Sequence, residues 1–160
     1  MDIQSVFDEM NRRLKTDAFK LDDQRSCRVS VGEGPVIEIL EFPEEGRLLL
    51  YAVLGKEPVE GKDEFFRQLL RSMYMFKDTL GCSFSLNPDT DELCLQHSSF
   101  LDRLTADSFY NLFEDFFHLA DQWNEMLLAF RPALAAAINA KNHSEAELSQ
   151  GLANGSFLQV

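Results

Sequence analysis

The sequence predicts an α+β domain in which an antiparallel sheet is packed by helices. Apolar residues recur at helical spacing in three separate stretches. Alternating or β-rich runs bounded by turn residues fill the intervals. The resulting order is helix, three strands, helix, two strands, helix. A chain of 160 residues is expected to form one domain and to bury roughly 70% of its unfolded surface.

The first helix is expected over residues 2–15. Ile3, Val6, Phe7, Met10 and Leu14 make its apolar stripe, Asp2 is placed to cap it, and Arg12 and Arg13 suit the negative end of the helix dipole. Such a stripe either packs on a sheet or stays partly open to a ligand. Three antiparallel strands follow, at 27–31, Val36–Phe42 and 47–54, joined by Gly32-Glu33-Gly34-Pro35 and Pro43-Glu44-Glu45-Gly46. Ile37 and Ile39 lie on one face of the second strand; Val36, Glu38, Leu40 and Phe42 lie on the other. The third strand is apolar on both faces, so it is expected to be central and covered on both sides.

After a polar link at 56–62, residues 64–80 carry Phe66, Leu69, Leu70, Met73, Phe76 and Leu80, the pattern of a second helix. Asp63 reads as its N-cap and Gly81 as its stop. A hairpin comes next. Cys82, Phe84 and Leu86 alternate with serines, then Asn87-Pro88-Asp89-Thr90-Asp91 turns the chain, and Leu93, Leu95 and His97 alternate with Cys94 and Gln96. This unit has more apolar surface than it can cover by itself. Thr105 caps a third helix with Asp107 in its first turn. Its stripe of Phe109, Leu112, Phe113, Phe116, Ala120, Trp123, Leu127 and Phe130 is the clearest periodicity in the chain. The domain is expected to span 1–130. Residues 131–160 lose the periodicity and read as a C-terminal extension, partly helical or loosely held and dispensable for folding.

The net charge of −12 argues against nucleic acid and against insertion in, or adhesion to, an anionic membrane. The N-terminus is acidic and lacks the apolar core of a signal peptide, so no secretory leader is expected. The 14 phenylalanines belong in a core or an apolar interface. Cys27, Cys82 and Cys94 are odd in number and fall in predicted strands, which suits buried free thiols in a reducing compartment.

No motif argues for catalysis. Cys94 and His97 are three apart on a strand and point to opposite faces, so with Cys82 and His118 they make a poor metal set. Asn87, Asp89 and Asp91 start like a calcium loop, but Glu92 and Ser98 occupy positions that require glycine and glutamate. Gly32-x-Gly34 joins two strands, which excludes a phosphate cradle. No catalytic residue, metal or cofactor is expected.

Four segments in this order resemble the class I type III secretion chaperones, the Tir-chaperone (CesT-like) family. They are Met10-Asn-Arg-Arg-Leu14, Glu45-Gly-Arg-Leu-Leu-Leu50, Leu86-Asn-Pro-Asp-Thr-Asp-Glu-Leu93 and Ala120-Asp-Gln-Trp123. The resemblance covers about residues 3–130 and does not reach the tail. It departs from the family at Phe76-Lys-Asp-Thr-Leu-Gly81, where small residues are usual. It implies a homodimer in the bacterial cytoplasm, without enzymatic activity, that holds the N-terminal segment of one or more secreted effectors extended for delivery to the secretion ATPase. Residue by residue it places the dimer interface at Leu69, Leu70, Met73, Phe76, Cys82 and Phe84. Cargo would lie on the first helix and the sheet, at Val6, Phe7, Met10, Leu14, Ile37 and Ile39, with strand addition at an edge. A dimeric regulatory or scaffold module of the same fold, binding a folded partner, is the alternative.

Overall fold

The computed structural model describes residues 2–58 and 61–128; Phe130 and the expected extension at 131–160 lie outside them. The order is helix α1 (Ile3–Leu14), strands β1 (Ser26–Ser30), β2 (Val36–Phe42) and β3 (Arg47–Lys56), helix α2 (Lys62–Ser72), strands β4 (Ser83–Leu86) and β5 (Glu92–Phe100), and helix α3, helical from 106 to at least 128. The predicted α+β class and element order hold. The strands form one five-stranded antiparallel sheet in the order β1-β2-β3-β5-β4, which puts β3 at the centre as expected.

Local chemistry sets most boundaries. Lys15 ends α1 in a left-handed conformation and donates its N–H back to the Asn11 carbonyl. Asp2 stands at the N-cap of α1, but its side chain makes no capping bond. Thr105 caps α3 as predicted: its Oγ1 accepts the Ser108 N–H at 3.1 Å, and Ser108 Oγ accepts the Thr105 N–H at 2.8 Å. The hairpin turn closes through Asn87, whose Oδ1 accepts the Asp89 N–H and whose carbonyl accepts the Asp91 N–H, both at 2.9 Å.

All three helices contribute to a single core on one face of the sheet. Ile3, Val6, Phe7 and Met10 of α1 and Phe109, Phe113, Phe116 and Ala120 of α3 pack with Ile37, Ile39, Leu48, Leu50, Ala52 and Leu95. Phe19, between α1 and β1, meets Phe7, Phe109 and Phe113 at ring-centroid distances of 5.1–6.4 Å. Arg13 at the end of α1 pairs with Asp107 at the start of α3 at 2.5 Å, tying the two helices together.

Three expectations are corrected. β3 is covered on one face only: Leu48, Leu50, Ala52 and Leu54 are buried, whereas Leu49 and Tyr51 are half-buried and Val53 is exposed. No described helix crosses the second face, so an apolar run here signals a central strand without a second layer. α2 ends at Ser72 and not at Leu80. Its N-cap is Gly61, in a left-handed conformation with φ of +68°, and Asp63 lies inside the first turn. Gly81 does take a positive φ of +84°, but it ends a connection that holds a short 3-10 turn at Tyr74–Phe76, and not the α-helix.

Candidate functional site

α2 carries two apolar stripes side by side. Phe65, Leu69 and Ser72 face the core and are buried; Phe66, Leu70, Met73 and Tyr74 run along the neighbouring face. Leu70 is 65% exposed. Phe66, Leu70 and Tyr74 share a shallow depression with Asp63, Arg67 and Arg71. Acidic Asp63 and Glu64 stand in the first turn of this helix, Arg67 at its middle and Arg71 in its last turn, and Glu64 lies 3.8 Å from Arg67 and 3.9 Å from Arg71 on the same helix. Beside it, Phe66, Leu70, Met73, Phe84 and Leu86 line a groove of about 320 Å³ along β4.

β4 is one edge of the sheet. The Asn87 N–H donates to the Glu92 carbonyl at 2.8 Å, which fixes the alternation of the ladder. Phe84 and Leu86 therefore turn their main-chain groups away from β5. The Phe84 N–H is met by the thioether of Met73, with N···Sδ 3.3 Å, a weak acceptor in place of a strand.

β1 is the other edge. The Glu41 N–H donates to the Arg25 carbonyl at 3.0 Å, so the residues bonded to β2 are 25, 27 and 29. Ser26, Arg28 and Ser30 face outward. Asp22 closes the outward groups of Ser26, through its backbone N–H at 2.7 Å and its carboxylate at 2.8 Å. Among the described residues, the outward main-chain groups of Arg28 and Ser30 have no strand partner, next to a pocket of about 340 Å³. Leu14, Ala18, Phe19, Val29, Val31 and Phe113 supply its apolar walls. An unpaired edge beside an apolar pocket suits an extended peptide, which takes main-chain bonds from the edge and places a side chain in the pocket. The α1 end of this pocket is tied to α3 through the Arg13–Asp107 ion pair. Hydrogen bonds from Arg12 and Arg13 bring the Glu9 carboxyl down to about 2, so this cluster stays ionised at any ordinary pH.

The residues expected to meet cargo are placed differently. Val6, Phe7, Met10, Ile37 and Ile39 are all in the core, and Met10 is 0% exposed; α1 spends its stripe on the sheet and on α3. Leu14, 42% exposed, keeps an open surface. Phe19, Val29 and Val31 escape sequence reasoning because their signal is the edge position of β1, which depends on sheet order. Of the residues expected at a dimer contact, Leu70 and Phe76 are exposed and Met73 and Phe84 half-buried. Leu69 and Cys82 are buried within the chain's own core, because α2 turns its Phe65–Leu69 stripe inward.

The thiols sit apart. Cys94 lies on the outer sheet face with its Sγ 2.9 Å from the Tyr51 hydroxyl, while His97 lies on the inner face, Nδ1 3.8 Å from Cys82 Sγ. Burial raises the Cys82 thiol to about 11, and the Asp115 charge adds to the effect. Among the described residues no group of three or more His, Cys, Asp or Glu side chains is arranged to hold a metal ion, and no helix is long and apolar enough to cross a membrane.

No curated protein matches the chain by sequence. Solved structures match its fold. The ExsC–ExsE complex aligns with a TM-score of 0.65 at 22% identity, covering 78% of this chain and 92% of that one. The HopA1–SchA chaperone–effector complex gives 0.61 at 16%, covering 78% and 98%. The heterodimeric ExoU–SpcU complex from the type III secretion system of Pseudomonas aeruginosa gives 0.60 at 16%, covering 75% and 95%. The sequence profile of the Tir chaperone protein family matches residues 6–124, most of the described domain. This chain belongs to the Tir chaperone protein (CesT) family.

Proposed function

We propose that this protein is a secretion chaperone of the bacterial cytoplasm that binds the N-terminal segment of one or more type III effectors in extended form. It keeps the segment soluble and competent for delivery to the secretion ATPase, with no enzymatic step. The open edge of β1 at Arg28 and Ser30, beside the pocket walled by Leu14, Val29 and Val31, carries this reading. The HopA1–SchA structure, a chaperone–effector complex with the same fold, supports it.

The working form is proposed to be a homodimer joined through the outward stripe of α2. Two copies related by a two-fold axis set α2 against α2 in antiparallel sense. Asp63 and Glu64 of each then approach Arg67 and Arg71 of the other, and Leu70 and Tyr74 are covered.

The test is capture of the bound protein from the source bacterium, followed by limited proteolysis of the complex. A protected, extended N-terminal segment is expected. Val31→Asp, at an exposed position, should leave folding intact and weaken binding of that segment at least tenfold, about 1.4 kcal/mol. Protection of a compact folded domain, or unchanged binding by the variant, would refute the placement.

A further inference from the structure

The connection from α2 to β4 departs from what its residues favour. Helical spacing continues past Ser72: Tyr74 stands four residues after Leu70, and Phe76 stands three after Met73. Yet Met75 and Phe76 hold φ of +56° and +54°, and Leu80 holds +50°. Side chains with a Cβ rarely adopt this left-handed backbone. Little holds it there. Tyr74, Met75, Phe76 and Leu80 are all exposed, two turn bonds join the Phe76 N–H to the Met73 carbonyl at 3.0 Å and the Cys82 N–H to the Thr79 carbonyl at 2.7 Å, and the Thr79 hydroxyl is buried without a partner among the described residues.

We infer that this turn is a two-state element coupled to self-association. In the separate chain Met75 and Phe76 are held left-handed while Met73 is already right-handed; when a second copy docks on α2, Met75 and Phe76 wind right-handed and lengthen the helix by about one turn. The inference rests on the dimer proposed above. Asp63 in the first turn and Arg71 in the last flank the apolar depression of α2, and an antiparallel second copy, which sets each against the other, is the occupant this pattern fits. Winding adds Tyr74 and Phe76 to the stripe already formed by Phe66, Leu70 and Met73, so the second copy meets a longer apolar face. The differential contact with the second copy offsets the loss of the turn.

Two variants at one position test this. Met75→Gly and Met75→Ala remove the same side chain and differ in backbone preference, glycine tolerating the left-handed state and alanine favouring the helix. Met75 is 71% exposed, so neither variant opens the core. Sedimentation equilibrium should give the alanine variant a dimer dissociation constant at least tenfold lower than the glycine variant. Equal constants, or the reverse order, with a dimeric wild type would overturn the switch and leave the dimer standing. A wild type that is folded and monomeric at micromolar concentration would remove both.

Discussion

α1 and α2 are amphipathic helices of nearly equal length, and they use their apolar faces in opposite ways. α1 buries Ile3, Val6, Phe7 and Met10 completely between the sheet and α3. α2 buries Phe65 and Leu69 and leaves Leu70 in water. The difference lies in what each helix lies over. α1 packs its stripe on the sheet and on the Phe109–Phe116 part of α3, whereas α2 meets the β4–β5 end of the sheet at Leu93 and the Trp123–Leu127 end of α3 and covers only part of its own apolar width. Periodicity says that a helix has an apolar face; the width of the face relative to its support decides how much stays open for a partner.

The largest effect that separates the two helices is expected at Met10. Met10→Asp places an unpaired charge in the closed core and should destabilise the fold by about 4 kcal/mol or more, read as a fall in the urea midpoint. A folded Met10→Asp protein with reduced peptide binding would instead return α1 to the cargo site.

Most of the architecture was legible before any coordinates. The Thr105 cap and the hairpin turn rest on interactions within a few residues, and such interactions are written in local sequence. The end of α2 was not legible. Residues 73–80 keep helical spacing, but Cys82 must enter the core just before β4, and that tertiary demand turns the chain at Met75. The adjacent pairs Phe65/Phe66 and Leu69/Leu70 read as one broad face because sequence does not say where a support ends. The candidate peptide site was partly legible: Leu14 was named, whereas Val29 and Val31 depend on β1 being an edge.

Leu70→Glu makes the converse test on the open helix. Circular dichroism should show an intact fold, while the dimer dissociation constant rises at least a hundredfold, about 2.7 kcal/mol, because a charge enters a desolvated contact. Unchanged association would move the contact off α2.

The smallest effect belongs to the closed side of the sheet and is read with pH. Burial holds the His97 imidazole below its ordinary value of 6.5. The native state therefore binds fewer protons than the unfolded chain, and stability is lost as pH falls through 6.5 toward the lower native value. His97→Gln should flatten this slope in denaturant titrations between pH 7 and 5, as expected from the ordinary histidine range of about 6.5. An unchanged slope would assign it to another group.

The strand order also governs how the chain reaches this structure. β1, β2 and β3 pair with their sequence neighbours and form a local meander. The central strand gains its other neighbour only when Glu92 returns to Lys56, which closes a loop holding α2 and all of β4. Loop closure of this length is an entropic barrier, so the second half of the sheet assembles late. During synthesis, β3 has one unpaired side until β5 has left the ribosome, and α2 has no support for either stripe. The inward stripe is withdrawn when β5 pairs and α3 packs; the outward stripe emerges from folding still exposed. The self-association proposed for that stripe would then follow the closing of the sheet.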